Sequence, residues 1–346
     1  MLATIDTGAA AVAAAPGAGA ISPRDRTVDR AYRLRQSGAD ILLIFVVLQL
    51  GSVIYALLEP DRFPYLTDAN ISLALQAIPL LGIVALGVGV LMIAGEFDLS
   101  VGANFIFSSV MVGQLTERGT PEVVAVLIGL GIGVGIGLLN GYLTLQFRIP
   151  SFVTTLGTMG IWSAATLLFH GTASQAYVPS DTLSNLLAGE LGIFSAQFLW
   201  LLAFAIALWG FLQRHRLGNH VLAAGGNALA AISTGVPAKR AKLLAFAIAG
   251  FAASLSGLLA AARVGNISPA GGTDLPLQAI AACVIGGVAL AGGRGTVLGI
   301  FVGASLIYWI QDVLLLLAAP AYYLTAFVGG LIIAAGILYE RVRGRG

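Results

Sequence analysis

The sequence predicts an all-α protein: a polytopic membrane bundle of about ten transmembrane helices with both termini in the cytoplasm. Three observations carry that prediction. Of 346 residues, 58% are hydrophobic and only 10% are charged, against roughly 25% charged in an ordinary soluble domain. Apolar runs long enough to cross a bilayer follow one another along the chain, and the Lys and Arg residues gather on one side of the resulting topology. A soluble fold must meet water with its exterior and cannot do so with so few charges; lipid tolerates such a surface. The 45 glycines show no collagen-like period, and glycine is common in membrane helices. A net charge of +2 is too small to suggest a nucleic-acid partner. The single cysteine, Cys283, lies in an apolar run and reads as a small buried hydrophobe.

The spans fall at 41–58, 71–94, 101–116, 122–146, 151–170, 197–213, 243–262, 275–292, 296–317 and 321–339. The third and sixth are short, and the ninth carries Asp312 near one end. This count places both termini on one side and puts 15 of the 18 Lys and Arg residues there. Only Arg62, Arg118 and Arg263 fall opposite, so the termini are cytoplasmic by the positive-inside rule. Residues 1–38 read as a cytoplasmic tail without the pattern of a signal peptide, and their basic end, 23–38, as an anchor to anionic lipid or a contact for a cytoplasmic partner. Residues 39–340 form one transmembrane domain, and 341–346 a short basic tail.

Two loops are long. Residues 171–196 face outward and contain Asp181 and Glu190 but no Lys or Arg. Residues 214–242 face the cytoplasm and carry five basic residues. Within the second loop a helical segment opens at Asn227, a good N-cap, and closes at Gly235 and Pro237. A short helix on the cytoplasmic face has the character of a docking element.

The fourth span holds Gly129, Gly133, Gly137 and Gly141 at i, i+4 spacing, and the ninth repeats the device with Gly295, Gly299 and Gly303. Such stripes let helix backbones approach closely. Between the second and third spans, GEFDLSVGA (95–103) brings Glu96 and Asp98 into an apolar stretch. A charge at membrane depth is costly and is usually paired or faces a cavity. Two readings of Asp98 stand: a first-turn acid of the next helix, or a group of the gate or pathway. GGRGTVLG (292–299) occupies an analogous place after another inward-running span, which suggests a weak internal duplication. An Arg294–Asp98 pair is one way to hold two such turns together.

No P-loop exists. That motif needs Lys after Gly, and the only lysines, Lys239 and Lys242, each follow alanine. ATP hydrolysis, if used, belongs to another chain. His170, His215 and His220 form no cluster with ligand spacing, so neither a metal site nor a catalytic constellation is visible. Asn104, Ser108, Thr154, Thr158 and Gln278 are polar groups within spans; they serve as pathway lining for a neutral solute or as hydrogen-bonding glue between helices. An ion-coupled secondary transporter is the alternative from another class, and it rests on Asp98 as coupling site.

The segments GEFDLSVGA (95–103), NGYLTLQFRIPSFVTTLGTMGI (140–161), GGNALAAISTGVPAKRAKLLAF (225–246) and GTDLPLQAIAACVIGGVALAGGRGTVLG (272–299) resemble the ribose/xylose-type permease family of ABC importers. The resemblance implies a non-catalytic inner-membrane permease that forms the path for a sugar or sugar-like polyol. It implies a second permease chain, a periplasmic sugar-binding protein, and a separate ABC ATPase that holds ATP and Mg; this chain binds no cofactor. It also assigns ATPase coupling to Gly225, Gly226, Asn227, Ala230, Ala231 and Gly235, and a gating or structural role to the motifs carrying Asp98, Ser100, Gly102, Gly293, Arg294 and Gly295. Two departures stand out. Glu96 and Phe97 replace the family's usual Gly-Ile, and Ala228-Leu229 replace residues that are often acidic in the docking loop.

Overall fold

A computed structural model describes residues 39–343 apart from 193, 270 and 321. The tail expected over 1–38, and residues 344–346 of the C-terminal one, lie outside the described residues. The long helices are α1 (Ala39–Leu58), α2 (Asp68–Ile93), α3 (Val101–Glu117), α4 (Glu122–Phe147) and α5 (Ser151–His170). After the outer helix α6 (Asp181–Ala188) come α7 (Ala196–Arg214), α8 (Arg216–Gly226), α9 (Ala228–Ser233) and α10 (Ala238–Val264). The chain ends with α11 (Leu275–Ile285), α12 (Val297–Leu316) and α13 (Tyr322–Arg343). Each of the ten expected spans overlaps a helix, nine of them over nearly all of their length, and α6, α8 and α9 occupy the two long loops. Seven of the described helices are long and apolar enough to cross a membrane.

α2 is the hub. Every residue from Leu81 to Ile93 is buried, because α2 is packed on several sides by other helices rather than by lipid. Its glycines admit neighbours that a side chain would exclude: a Cβ on Gly82 would meet Leu201 of α7 at 2.9 Å, one on Gly87 would meet Ala252 of α10 at 2.4 Å, and one on Gly89 would meet Ile300 of α12 at 2.4 Å. Cys283 on α11 is fully buried, and its Sγ donates to the Ala85 carbonyl at 3.2 Å. The glycine stripe of α4 packs as expected: Gly133 and Gly137 lie against Gly250 of α10, and Gly129 lies against Val112 of α3.

Two expectations need correction. The span expected over 275–292 is not one helix: α11 ends at Ile285, and the chain turns through Gly286 and Gly287. The glycine stripe expected along 295–303 is shorter, because Gly295 precedes the helix that Thr296 caps. Hydropathy averages over a break that backbone hydrogen bonding decides.

The outward loops tie to each other. β1 (Gln175–Ala176) pairs antiparallel with β4 (Asn266–Ile267), and β2 (Glu190–Leu191) with β3 (Phe194–Ser195). Ser195 Oγ donates to the Leu75 carbonyl at 2.7 Å, which seats the second hairpin on α2. At the same end, Asn70 donates to Asp312 at 3.1 Å and Arg263 Nε to Gln76 at 3.3 Å. Tyr65 donates to Gln49; burial, then the neighbouring Asp312 charge, push its phenol above the usual range.

Candidate functional site

The inward-running helices α2 and α11 stop in the same way. Glu96 N donates to Leu91 O at 3.1 Å and Gly95 N to Met92 O at 2.9 Å; Val288 N donates to Cys283 O at 2.9 Å and Gly287 N to Val284 O at 3.0 Å. Both are six-to-one and five-to-two closures around a left-handed glycine, which satisfy carbonyls that a helix end otherwise leaves open. The two turns then touch each other and the end of α8. Gly293 N donates to Ile93 O at 2.8 Å. A Cβ on Gly225, in the last turn of α8, would stand 1.8 Å from Ile93 O and 2.8 Å from Gly293 N. Gly293 has φ +76° and would place a Cβ 2.4 Å from Gly226 Cα. Three segments therefore meet backbone to backbone: the end of α2, the 288–295 turn and the end of α8. Arg294 contributes its carbonyl to that turn, accepting from Ala289 N at 3.0 Å.

One ion pair closes the junction. Lys242 Nζ, in the first turns of α10, lies 2.6 Å from Glu96 Oε1, with the side chains 17% and 12% exposed. Glu96, the departure from the family pattern, is thus held by one of the chain's lysines.

From Glu96 to Ser100 the chain runs back along α5 as irregular backbone. Phe97 N donates to Ser151 Oγ at 3.0 Å and Leu99 N to Thr155 Oγ1 at 3.1 Å. Hydroxyls one helical turn apart on α5 thus stand in for the water that a membrane interior lacks. Asp98 is 1% exposed. Its Oδ1 accepts from Ser100 N and Ser100 Oγ, each at 2.7 Å, and its Oδ2 accepts from Asn140 Nδ2 at 3.3 Å. Asp98 is therefore not a first-turn acid of α3: it closes a local side-chain turn and fastens it to α4. The structure attaches it to Ser100 and Asn140, whereas the two turns are joined through Ile93 and Gly293. Thr155→Val keeps the volume but strips the partner of a buried N–H, and is expected to lower stability by about 1–3 kcal/mol; thermal melting of the purified chain in lipid nanodiscs checks it, with Thr155→Ser restoring the loss.

Asn104 sits in the first turn of α3, buried to 1%, and donates to Gly133 O and Gly250 O at 3.2 Å each. Those carbonyls belong to the middles of α4 and α10, so α3 begins near mid-depth of its neighbours. Ser108, fully buried, donates to Asn104 Oδ1 at 2.8 Å. Asn104 thus binds α3 to α4 and α10, and Ser108 holds the Asn104 amide in place, the hydrogen-bonding role that stood beside pathway lining for both. Thr158 donates to the Thr155 carbonyl at 3.3 Å, Thr154 is buried at 8% exposure, and Gln278 on α11 is half-buried. Gly102 lies against Gly272 and Pro276: a Cβ there would meet Gly272 O at 2.3 Å.

α8 and α9 lie in the 214–242 loop, at the end of the bundle where α2 and α11 stop. Asn227 caps α9, accepting from Ala230 N at 3.0 Å, and Gly235 turns the chain with φ +82°. Ala231 is buried beneath, whereas Leu229 and Ile232 stand 81% and 57% exposed. Sequence reasoning missed these two: a six-residue helix is too short to display a period. It also missed the roles of Ser151 and Lys242, and the Leu99 N–H as the partner of Thr155, because these partners lie far away in the chain. Among the described residues, no group of three or more His, Cys, Asp or Glu side chains is placed to hold a metal ion.

Interrupted helices buried in protein, beside seven described helices long and apolar enough to cross a membrane, define a multi-helix membrane protein. Residues 70–336 match the family described as branched-chain amino acid transport system / permease component. The chain belongs to this permease family, whose members are the membrane components of ABC importers and work with an ATPase and a binding protein. Among its relatives, the autoinducer 2 import system permease protein LsrC of Enterobacter sp. (strain 638) is 33% identical over 276 residues, 80% of each chain. The ribose import permease protein RbsC of Bacillus subtilis (strain 168) is 32% identical over 299 residues, 86% of this chain and 91% of that one. No solved structure matches the chain.

Proposed function

We propose that this chain is the inner-membrane permease of an ABC importer for a sugar-like polyol, pairs with a second copy of itself, and docks on its ATPase through α8 and α9. The observation that carries this reading is the exposed apolar face of Leu229 and Ile232, set on a helix whose neighbour α8 abuts both interrupted turns. Apolar side chains exposed on a face turned to the cytoplasm suit burial in a partner, and Lys239 and Arg240 beside them, both exposed, suit an acidic rim. Gly225, Gly226, Asn227, Ala230, Ala231 and Gly235 shape this element. Movement of the ATPase would reach the path through Gly225, where α8 has no slack. ATP and Mg reside on the ATPase, and a periplasmic binding protein delivers solute to the outer cap of hairpins. Residues 1–38 and 341–346 serve as cytoplasmic tails of the single transmembrane domain 39–340. Of the solutes named for the matched family and its relatives, the polyol is favoured by the names of the relatives.

The test is ATP hydrolysis by the ATPase co-purified with this chain. Leu229→Glu is expected to insert and melt like the parent, since the side chain touches solvent, yet to lose co-purification and any change in ATPase rate. An unchanged rate with Leu229→Glu would place the docking face elsewhere. The ion-coupled alternative has little support from Asp98, whose oxygens are engaged by Ser100 and Asn140. Solute uptake driven by an ion gradient without any ATPase would nevertheless sink the importer reading.

A further inference from the structure

Where α7 meets α8, the chain sets cations and N–H groups with no acceptor opposite them. Arg214 and Arg216 are exposed, and neither has a salt-bridge partner among the described residues, whose ion pairs join Arg62 to Glu59 and Lys242 to Glu96. Arg214 lies over the ring of Trp209, 5.6 Å from its centroid. Trp209 is 49% exposed, and its indole N–H meets no acceptor among the described residues. His215 Nδ1 accepts from Leu217 N at 3.2 Å, so its hydrogen sits on Nε2, which is left to donate. We infer that this elbow binds the phosphate of an anionic phospholipid, whose acyl chains lie along the exposed face of α7.

The elbow is rigid. A Cβ on Gly218 would meet Phe211 O at 2.0 Å and Leu212 Cα at 2.7 Å, so the first turn of α8 is pressed backbone to backbone onto the end of α7. The His215 ring stacks on Phe211, with centroids 6.1 Å apart. Residues 214–216 are thus held in place before a ligand arrives, and less freedom is lost on binding. The apolar half of the site comes from α7 itself. Leu199, Leu202, Ile206 and Trp209 recur at steps of three and four, so they share one face, and all four are exposed. On a helix long and apolar enough to span a membrane, that face is a track for acyl chains. It ends at Trp209, whose ring suits the boundary between chains and headgroups.

Donors without acceptors select an anion. Arginine presents a planar fork of N–H groups that matches phosphate oxygens two at a time, and two such forks lie two residues apart. A zwitterionic headgroup would add an ammonium where neither arginine has a carboxylate partner; phosphatidylglycerol adds none. A free phosphate would leave the apolar track unused, so the occupant is a lipid. The other end of α8 carries Gly225, pressed on Ile93 and Gly293. A lipid at the elbow therefore steadies the element that abuts the two turns. This inference goes beyond the importer reading and does not depend on it.

The experiment uses the full chain in phosphatidylcholine nanodiscs, with brominated phosphatidylglycerol or brominated phosphatidylcholine added at equal mole fraction. Bromine quenches tryptophan fluorescence on contact. The chain has four tryptophans, so the Trp209 share is taken as the difference from Trp209→Phe. Stronger quenching by phosphatidylglycerol is expected, and Arg214→Gln with Arg216→Gln is expected to weaken that preference by roughly fivefold per arginine. An unchanged melting temperature in pure phosphatidylcholine shows that the double variant folds. Arg148→Gln removes another exposed cation and is expected to keep the preference. Equal quenching by the two lipids, a preference that survives the double variant, or an equal loss in Arg148→Gln overturns the site. Displacement by inorganic phosphate, but not by chloride at the same ionic strength, gives the elbow to a free anion and overturns the lipid. Loss of the preference on adding the ATPase gives the arginines to the docking face. A Trp209 quenched by neither lipid puts protein over α7, a second copy first of all, and overturns the acyl track.

Discussion

Gly225→Val is expected to abolish productive coupling between this permease and its ATPase while the helices still insert. An added Cβ would stand 1.8 Å from the Ile93 carbonyl oxygen and 2.8 Å from Gly293 N. Both obstacles are backbone, and neither is free to turn aside. The Ile93 carbonyl also accepts from Gly293 N at 2.8 Å, so pushing α8 away loosens the joint that holds the two turns together. Overpacking commonly costs about 1–3 kcal/mol, and backbone on two sides puts this site at or above the upper end. A lowered melting temperature and an ATPase rate indifferent to the chain are the expected results. Gly235→Ala is the control. It adds a Cβ where nothing lies within 4 Å, so its only cost is the left-handed backbone, about 1 kcal/mol. If Gly225→Val couples normally, the three-segment junction is not the route from docking face to path.

Gly250→Leu is expected to have the larger effect on the fold. A Cβ at Gly250 would meet Gly133 O at 2.2 Å and Gly137 Cα at 3.1 Å. α4 and α10 touch there through backbone alone, and Asn104 reaches across that contact to both carbonyls. A leucine forces the helices apart and leaves a buried amide with no partner. A loss on the order of 4–5 kcal/mol, extreme for a single substitution, is expected and would show as little folded chain after extraction. Gly131 and Gly135 on the same helix α4 have nothing within 4 Å. Gly131→Ala is therefore expected to be neutral, or stabilising by about 0.5–1 kcal/mol through helix propensity. A folded, fully stable Gly250→Leu chain would show that this contact is not what holds α4 to α10.

The two glycine sets show how far the sequence carried. Spacing of four marked Gly129, Gly133, Gly137 and Gly141 as a packing face, and they pack. Spacing alone did not say that Gly131 and Gly135 face away, since that depends on where α10 lies. The short helix of the 214–242 loop was legible too, because Asn227 and Gly235 are local signals that act within one or two turns. The break after Ile285 was less so. Gly286 and Gly287 sit in a run that stays apolar to Ala291, so hydropathy ran through the stop. The distant partner of Asp98 was not legible: Ser100 lies two residues on, but Asn140 is brought to it only by the packing of α4.

By itself the sequence determined a multi-span helical membrane protein, its permease family and the short helix after Asn227. These follow from local quantities: hydropathy over a span, caps and turn residues. Only the tertiary structure decided that two spans begin near mid-depth, that Ser151 and Thr155 satisfy the backbone of the 97–99 stretch, and that Gly225 bears on Ile93 and Gly293. Each of these is a relation between residues distant in the chain, set by helix packing, and a polar group with no partner in lipid must find one there.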